Sequence, residues 1–328
     1  MIKDRSTLVL GVNGQDGSYL AEHLLAEGWR VTGVGRQQSS RFVPAQTGFD
    51  YRQLDLAQDE TVLLAALRET RPARIFHFAA IHGPSGFFYE PVWRDALAVN
   101  TGSAHTCLEY IRNEDREARL LFASSSKAFG QPLPARIDET SPLVSSCLYS
   151  ITKNAAASLI REYRARHGIR ATVAFFFNHD SPRRPPEYFL PRAVEQLARA
   201  LKNKEPAPAL STLDFAFDGG SSAEYALLAH RLLELDANQD YLIATGKTWT
   251  GLELVEALFD RADLDWRDHL PLESPPGSRP IVSHQADISR LAAALGSAPT
   301  LSALDVAIWI LGERHGLTLN GEVAGAAQ

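Results

Sequence analysis

The stretch Thr7–Gly17, TLVLGVNGQDG, places three glycines between a short apolar run and a helical pattern. The spacing is G-x-x-G-x-x-G: Gly11 permits the tight turn, Gly14 lets a ligand approach the backbone, and Gly17 lets the helix pack on the sheet. Because the N-terminus of the helix then faces anionic phosphates, the turn predicts a bound dinucleotide. The other turn residues assigned to that ligand are Asn13, Gln15 and Asp16.

Short apolar runs alternate with helical patterns through the first half of the chain. The predicted strands are Thr7–Leu10, Arg30–Val34, Gln53–Leu56, Arg74–Phe78, Arg119–Ala123 and Thr172–Phe177. The predicted helices are Ser18–Glu27, Glu60–Glu69, Val92–Arg112 and Tyr149–His167. This alternation predicts an α/β fold, a doubly wound Rossmann sheet of parallel strands covered on both faces.

The pattern changes after Phe177. The stretch SPRRPPEYFLP (181–191) is rich in proline and charge and predicts no regular element. The later predicted elements are the helices Arg192–Lys202, Ser221–Asp236, Leu252–Arg261 and Ser302–His315 and the strands Thr212–Phe217 and Tyr241–Ala244. We interpret residues 1–180 as a cofactor domain, 181–320 as a smaller, partly interleaved α/β substrate lobe, and 321–328 as a frayed tail.

Composition excludes several classes of protein. The 328 residues are 45% hydrophobic and 22% charged, with a net charge of -6, which is unlike a disordered or nucleic-acid-binding chain. Cys107 and Cys147 have no metal-ligand spacing and form no disulfide framework, so we expect no metal site and a reducing compartment. No signal peptide or membrane-length apolar run is present, which predicts a cytoplasmic protein without a membrane partner.

The end of the second predicted strand bears on the choice between NADP and NAD. Gly35 occupies the position where an acidic residue would bind the ribose hydroxyls of NAD, and Arg36 follows it. Arg36, helped by Ser39 or Arg41, predicts a 2′-phosphate site and therefore NADP; NAD remains the alternative if Arg36 is only a surface charge. Residues after the third and fourth strands are also assigned to the cofactor, namely Asp55, Leu56, Phe78, Ala79, Ala80 and His82.

The chemical centre is predicted from YSITK (149–153). Tyr149 and Lys153 are four residues apart, so they share one face of a helix. A nearby ammonium lowers the pKa of a phenol, and the phenolate can take a hydroxyl proton while hydride leaves to the cofactor. Ser125, in a serine cluster after the fifth strand, is expected to bond to the reacting oxygen; a turn or cap serine is the alternative.

Together these motifs resemble the GDP-mannose 4,6-dehydratase family, within the extended short-chain dehydrogenases/reductases that modify nucleotide sugars. The segments that carry the resemblance are GQDGSYLAEHLL (14–25), FFNHDSPRR (176–184), DYLIATGKTWT (240–250) and Arg279-Pro280. The resemblance implies a GDP-hexose substrate, redox chemistry at hexose C4 through Ser125, Tyr149 and Lys153, and a homodimer or homotetramer. It places His179 and Arg184 near the nicotinamide. It also implies the substrate-binding residues Ser126, Asn178, Arg192 and Arg279.

Several positions depart from the family pattern. A glutamate, a tyrosine, a lysine, an arginine and a serine of the family are replaced by Lys127, Phe129, Ala193, Phe217 and His82, respectively. The losses at Ala193 and Phe217 remove two expected cationic contacts to the nucleotide. Lys127 matters most, because the family glutamate moves the protons of water elimination. As a fourth catalytic residue, Lys127 acts either as a base of lowered pKa or as a charge that stabilises an enolate.

These departures leave alternatives open. Lys127 favours a nucleotide-sugar epimerase or 4-keto reductase, since epimerisation beside a ketone needs a proton acceptor, and Tyr188 is then a candidate second acid. A cofactor-binding protein without catalysis is a further reading, which the intact Tyr149 and Lys153 argue against. A dehydrogenase of small carbonyls would need little beyond the Rossmann core, whereas this chain has a substantial second lobe.

Overall fold

The apolar runs form one parallel sheet in the computed structural model, which describes residues 5–58, 60–84, 86–235 and 238–319. The strands are β1 (Ser6–Leu10), β2 (Arg30–Gly35), β3 (Phe49–Gln53), β4 (Arg74–His77), β5 (Arg119–Ser125), β6 (Arg136–Ile137), β7 (Ala171–Phe176), β8 (Asn178–Asp180), β9 (Ala216–Ser221), β10 (Tyr241–Ile243), β11 (Thr248–Thr250) and β12 (Gln285–Ala286). The α-helices are α1 (Gln15–Ala26), α2 (Glu60–Thr70), α3 (Trp93–Leu97), α4 (Ser103–Asn113), α5 (Leu148–His167), α6 (Phe189–Leu201), α7 (Ser222–Glu234), α8 (Gly251–Asp260), α9 (Ser289–Leu295) and α10 (Ala303–His315).

The order of the strands confirms the doubly wound Rossmann fold. Within the described ranges seven parallel strands pair in the order β10-β7-β5-β4-β1-β2-β3. The direction of winding reverses between β1 and β4, and ligands of such sheets bind at this switch point, outside the carboxyl ends of the strands. The glycine turn follows β1 directly, so the fold places it at the crevice.

Helices cover both faces of this sheet. One apolar cluster joins the sheet to α2, α4 and α5, and a second joins it to α1, α7 and α9. Every residue of β1 is buried, which explains why its sequence, STLVL, contains no charge and ends in three apolar residues. In the described part of the chain, no helix combines the length and apolarity needed to cross a bilayer.

The second half of the chain forms a separate lobe and also contributes a strand and a helix to the first half. Helices α6, α8 and α10 share a separate apolar cluster beside a three-stranded sheet of β11, β9 and β8. In contrast, β10 pairs with β7 in the main sheet, and α7 packs on α1. The short strands β12 and β6 form a further parallel pair between the two halves.

Helix α5 carries the YSITK motif and has well-defined ends. The Ser150 side chain accepts hydrogen bonds from the backbone N–H groups of Ser146 and Cys147, at 2.9 and 3.0 Å. The helix ends at Gly168, whose φ of +62° is the left-handed conformation that glycine adopts readily. These ends fix Tyr149 and Lys153 in the first two turns, beside the carboxyl end of β5.

Two predicted strands were placed wrongly. The third strand is Phe49–Gln53 rather than Gln53–Leu56: it is an edge strand with alternating exposure, and Leu56 packs on the core from the loop after it. The strand predicted at Thr212–Phe217 begins at Ala216 and continues through Gly219 to Ser221. Gly219 lies inside this strand although glycine is typical of turns. A Cβ at Gly219 would lie 2.7 Å from the Phe217 ring, so the glycine makes room for that aromatic side chain.

Two helix boundaries also differ from prediction. The helix predicted over Val92–Arg112 is interrupted by a π-helical turn at Ala98–Gly102, as occurs often near functional sites. Helix α6 begins at Phe189, inside the stretch expected to be irregular, because a proline such as Pro191 is tolerated in the first turn. Asp236, the predicted end of another helix, and the tail 321–328 lie outside the described residues.

Candidate active site

The glycine turn has the geometry that a dinucleotide pyrophosphate requires. Gly11 has a φ of +88°, and a Cβ there would lie 2.7 Å from the backbone nitrogen of Ala79. A Cβ at Gly17 would overlap the carbonyl oxygen of Gly11, so helix and turn can pack this closely only with glycine. Gly14 is exposed at the N-terminus of α1 and carries no side chain that could cap the helix. The first N–H groups of α1 are therefore open to an anionic phosphate, and the residues fit the cofactor.

Asn13 anchors the loop that follows β2. Its Nδ2 donates to Gln37 Oε1 at 2.9 Å and to the Ser39 carbonyl at 3.1 Å, and its Oδ1 accepts from the Arg41 backbone at 2.8 Å. Tyr51 Oη lies 3.1 Å from the same Nδ2. The glycine turn and the predicted 2′-phosphate loop are thus tied together by one side chain, which was expected only to contact the cofactor.

The predicted adenosine-side residues have different environments. Arg36 is exposed, and within the described ranges its side chain has no hydrogen-bond or ion-pair partner. The Arg41 guanidinium lies 4.9 Å from the centre of the Phe42 ring. Asp55 is exposed and accepts from the backbone two residues later, whereas Leu56 packs partly buried against the core. Arg36 is therefore the group most available to an external phosphate.

Gln15 and Asp16 link the cofactor turn to the segment after β7. Gln15 Nε2 donates to the His179 carbonyl at 3.0 Å, and Gln15 Oε1 accepts from Ser181 at 2.9 Å. The Asp16 carboxylate lies 3.0 Å from His179 Nε2 and accepts from Ser222 Oγ at 2.7 Å. These two residues and His179, all predicted to bind cofactor, form a bridge between the two halves of the chain.

Asp16 and His179 form an ion pair in which each residue favours the charged form of the other. Burial alone would raise the pKa of Asp16, but the charge and hydrogen bond of His179 hold it below the ordinary 3.8. Burial alone would lower the pKa of His179, but Asp16 raises it above 6.5. Since His179 Nδ1 lies 2.7 Å from the Phe177 carbonyl, both ring nitrogens can donate in the charged form.

The residues after β4 form the opposite wall of the crevice. Phe78 stacks between Phe76 and Phe176, with ring centres 6.1 and 5.9 Å away. Ala79 is partly buried and Ala80 is exposed, as a small-residue platform requires. Asn100, in the π turn, accepts from the backbone N–H of Ile81 at 2.9 Å and donates to Thr152 Oγ1 at 3.0 Å. Asn100 thereby fastens this wall to helix α5.

Tyr149, Lys153 and Ser125 meet at the carboxyl end of β5. Tyr149 and Lys153 are buried, and Lys153 Nζ donates to the Ala123 carbonyl at 2.8 Å. Lys153 Nζ is 5.9 Å from the centre of the Tyr149 ring, and Ser125 is close enough to Tyr149 to lower the pKa of its phenol. The three predicted catalytic side chains are together in space, and Ser125 also accepts from the Lys127 backbone at 3.3 Å.

The protonation of this centre differs from the prediction. Burial raises the pKa of Tyr149 above its ordinary 10, with the neighbouring Tyr89 adding to the effect and Ser125 opposing it. Burial also lowers the pKa of Lys153 to about 7, although Asp16 acts in the opposite direction. The expected lowering of the Tyr149 pKa was wrong for the site without ligands, because desolvation outweighs a lysine that is itself only partly charged at neutral pH.

Lys127 lies beside Tyr149, the predicted catalytic tyrosine, and is partly buried. Its Nζ is 5.9 Å from the centre of the Tyr149 ring. Burial lowers the pKa of Lys127, and the positive charge of Arg184 lowers it further, while Cys147 acts in the opposite direction. A larger neutral fraction than that of an ordinary lysine is what a proton-accepting role demands.

Two aromatic residues also lie at this site: Tyr188, which was predicted only as a candidate second acid, and Tyr89, which sequence reasoning missed. Tyr188 Oη lies 3.2 Å from His82 Nδ1, and the Arg184 guanidinium lies 3.6 Å from the centre of the Tyr188 ring. Tyr89 stacks on Tyr149 at 5.9 Å and accepts from the Gly83 backbone at 3.2 Å. No motif marks Tyr89 or Tyr188 in the sequence; both come from loops that only the fold brings to α5.

The predicted substrate residues differ in their surroundings. Ser126 is buried, whereas Asn178 and Arg279 are exposed. Arg192 donates to the carbonyl of Ala209, so its guanidinium already braces the second lobe. The backbone of residues 277–279 is held by the carboxylate of Asp214, which accepts from the Arg279 N–H at 2.9 Å.

A family model described as GDP-mannose 4,6 dehydratase matches residues 8–284. The chain belongs to this family. The GDP-mannose 4,6-dehydratase of Vibrio cholerae is 28% identical over 265 residues, which are 77% of this chain and 70% of the relative. The enzyme of that name from Sinorhizobium fredii is 31% identical over 280 residues, covering 80% and 78% of the two chains.

Solved structures agree on the fold of this GDP-mannose 4,6-dehydratase family member. The UDP-glucose 4-epimerase of Thermotoga maritima superposes with a TM-score of 0.78 at 20% identity, covering 94% of this chain and 98% of the epimerase. The dTDP-glucose 4,6-dehydratase of Bacillus anthracis, in complex with NAD, gives 0.76 at 17% identity over 94% and 97%. Family and fold together confirm the prediction of a nucleotide-sugar modifying enzyme that depends on NAD or NADP.

Some departures from the family pattern have a structural explanation. Ala193 and Phe217 are buried in the apolar cluster of the second lobe, where Phe217 packs on Phe189 and Phe215. Phe129 is buried against Phe175 in the main core. Burial explains why apolar side chains are accommodated at these positions; the loss of two nucleotide contacts at Ala193 and Phe217 stays a prediction. Lys127 and His82 are the departures that lie at the reacting centre.

Proposed function

We propose that this protein uses NADP to oxidise C4 of a GDP-hexose and then eliminates water across C5 and C6, as a 4,6-dehydratase. The observation that carries the proposal is the assembly of Ser125, Tyr149 and Lys153 at the switch point of a GDP-mannose 4,6-dehydratase family member. The GDP-hexose is proposed because the curated relatives named above are GDP-mannose dehydratases.

In the first step Tyr149 accepts the proton of the C4 hydroxyl, while Ser125 holds the same oxygen. When bound, NADP would supply the hydride acceptor for C4 and later the hydride donor to C6, where hydride addition is balanced by a solvent-derived proton at C5; the glycine turn and Arg36 are the groups that would hold the cofactor. Because burial keeps Tyr149 protonated in the site without ligands, ionisation follows binding of the cationic ring beside Lys153. Lys153 then stabilises the phenolate, a role that requires its ammonium form.

Lys127 takes the place of the family glutamate in the elimination. As a neutral amine it accepts the C5 proton that the C4 ketone has acidified. As the resulting ammonium it gives that proton to the C6 hydroxyl, which departs as water. The lowered pKa of Lys127 supports both halves of this exchange, since proton transfer is most efficient when the pKa lies near the working pH.

NADP is proposed over NAD on the basis of Arg36. The exposed side chain of Arg36 follows β2, where the 2′-phosphate on the adenosine ribose of a bound NADP would lie. An arginine fork binds phosphate oxygens with two parallel hydrogen bonds.

Epimerisation beside the C4 ketone is the second candidate, favoured by the pair of Tyr188 and His82. Lys127 would remove a proton next to the ketone, and the Tyr188 phenol, 3.2 Å from His82, would return one. Burial raises the pKa of Tyr188, which keeps it a proton donor. Hydride return to C4 would complete an isomerisation in which nothing is lost.

We also propose a cytoplasmic homodimer or homotetramer assembled through the helices near Leu97 and Ile151. Both side chains are exposed, at 40% and 42%, on α3 and α5. Light scattering of the purified chain and of Ile151→Glu checks this: the variant is expected to be monomeric, and an unchanged mass places the contact elsewhere.

The deciding experiment incubates the protein with NADP and GDP-mannose in D₂O and analyses the sugar by mass spectrometry. A dehydratase yields a sugar that has lost one water and gained solvent deuterium. An epimerase yields an isomer whose mass changes only by the solvent deuterium it has gained. Tyr149→Phe is the control and is expected to lower either activity by about 10²–10⁴-fold. Absence of both products from GDP-, UDP-, CDP- and dTDP-hexoses would refute the proposal.

A further inference from the structure

A second group of metal-ligating side chains lies away from the active site, where helices α1 and α7 end together. His23 lies in the last turn of α1, Glu27 caps that helix, and His230 lies in the last half of α7. Their ligand atoms all lie within 4.8 Å of one another. His23 Nε2 is 3.3 Å from Glu27 Oε1, and His230 Nδ1 is 3.9 Å from Glu27 Oε2.

Among the residues that the structure describes, His230 is buried without a hydrogen-bond partner. Its side chain is 7% exposed, and neither ring nitrogen has a hydrogen bond within the described ranges. Trp29 and Phe76 pack against the ring edge-on, at 5.5 and 6.3 Å. A buried imidazole without a partner is costly, because it gives up hydrogen bonds to water and receives none in return. Its only polar neighbours in the cluster are His23 and Glu27.

We propose that His23, Glu27 and His230 bind one zinc ion, with water as the fourth ligand. Two imidazole nitrogens and a carboxylate suit zinc, whereas magnesium and calcium prefer oxygen ligands throughout. Tetrahedral bonds of about 2.0–2.2 Å separate neighbouring ligand atoms by about 3.4 Å. The existing separations approach this value, so side-chain rotation alone completes the site.

The surroundings of the cluster suit a divalent cation. Glu27 is 45% exposed and His23 is 30% exposed, so an ion can enter from solvent. Two arginines near the cluster are already engaged: Arg74 pairs with Glu234 at 2.5 Å, and Arg5 donates to the backbone carbonyl of Glu27 at 2.8 Å. The charge of Glu27 therefore remains available to the metal.

A zinc ion here would join the two helices that frame the cofactor turn. At their N-terminal ends α1 and α7 are linked by the hydrogen bond from Ser222 to Asp16. At their C-terminal ends the metal would supply the second link, about 10 Å along α1 at 1.5 Å per residue. The site is thus structural: it fixes the helix that presents its N-terminus to the cofactor, and it lies outside the chemistry.

Isothermal titration of the full, tag-free chain with ZnCl₂ tests the proposal. We expect one saturable site per chain, a melting temperature that rises with zinc concentration, and cobalt substitution that gives the visible spectrum of tetrahedral nitrogen and oxygen ligands. His230→Ala, His23→Ala and Glu27→Gln should each lose the site, and His167→Ala, a histidine outside the cluster, should keep it. Because Glu27 and His23 are partly exposed, their variants remain informative if His230→Ala fails to fold.

The proposal fails if the wild-type chain shows no saturable binding. It also fails if zinc binds equally well to Glu27→Gln, His23→Ala and the control His167→Ala, since the ion would then use other ligands. Spectra of sulfur coordination in the cobalt form would assign the metal to a cysteine and overturn it as well.

Discussion

Replacing Asp16 by asparagine tests whether the two halves of the chain are joined by an ion pair. The carboxylate lies 3.0 Å from His179 Nε2 and accepts from Ser222 Oγ at 2.7 Å. Asparagine preserves the shape, and its oxygen can still accept from Ser222. Because His179 Nδ1 faces the Phe177 carbonyl, a neutral His179 presents Nε2 as an acceptor for the new amide. The variant thus exchanges a charged hydrogen bond for a neutral one.

The cost of Asp16→Asn follows from that exchange and depends on pH. A hydrogen bond to a charged group contributes about 1.5–3 kcal/mol and a neutral one about 0.5–1.5 kcal/mol, so the free energy of unfolding falls by about 1.5 kcal/mol. The raised pKa of His179 stabilises fully below 6.5 and loses its effect as the pH rises through the folded value. The lowered pKa of Asp16 stabilises fully above 3.8 and loses its effect as the pH falls. The penalty is therefore largest between these limits.

Urea unfolding of both proteins, followed by tryptophan fluorescence from acid to alkaline pH, measures this difference. At about pH 5.5 the wild type is expected to have a higher free energy of unfolding than Asp16→Asn, and this difference should disappear at alkaline pH. Ser222→Ala is the matched control: it removes a hydroxyl hydrogen bond to the same carboxylate, which stays charged above neutrality, so its cost of about 1.5–3 kcal/mol should not change there. A penalty for Asp16→Asn that stays constant or grows as the pH rises above 6.5 refutes the ionic interpretation.

Three further variants test the active site. Gly17→Ala forces a methyl group into the Gly11 carbonyl and should cost about 1–3 kcal/mol and at least tenfold in NADP affinity, whereas Gly312→Ala, in open helix, should be tolerated in thermal melts and titrations. Arg36→Ala should weaken NADP about tenfold and leave NAD unchanged; equal losses for both would remove Arg36 from the 2′-phosphate site. Lys127→Gln should lower turnover about 10²–10³-fold while single-turnover reduction of the cofactor persists, and loss of that reduction would place Lys127 in the first step instead.

The fold was predictable because its signals are local. The apolar run before Gly11, the glycine spacing and the amphipathic pattern after it are read from adjacent residues, and they specify a strand, a turn and a helix in one order. The main sheet follows from repetition of that unit. The edge strand Phe49–Gln53 was misplaced because one face of it meets solvent, so its sequence alternates and lacks an apolar run.

The site was predictable only where a motif lies within one element. Tyr149 and Lys153 share a helix, so their proximity follows from spacing alone. The Asp16–His179 pair and the contact of Tyr188 with His82 join residues that are distant in the chain, and no periodicity encodes them. Protonation was harder still, since the pKa of Tyr149 depends on how much water the folded chain removes from it.

Position 127 carries a lysine where the family has a glutamate, and the charges around the reacting centre give a reason for this replacement. Burial and then the positive charges of four neighbours lower the pKa of His82 well below 6.5, in the order Lys127, Arg184, Lys153 and His179. A glutamate at position 127 would offset one of these charges, whereas the lysine adds to them. Such a site opposes its own protonation until an anion enters, and a diphosphate or an enolate beside the C4 ketone supplies that anion. Formation of the enolate, rather than the binding step, should therefore raise the pKa of Lys127, which converts it from proton acceptor to proton donor as the reaction advances.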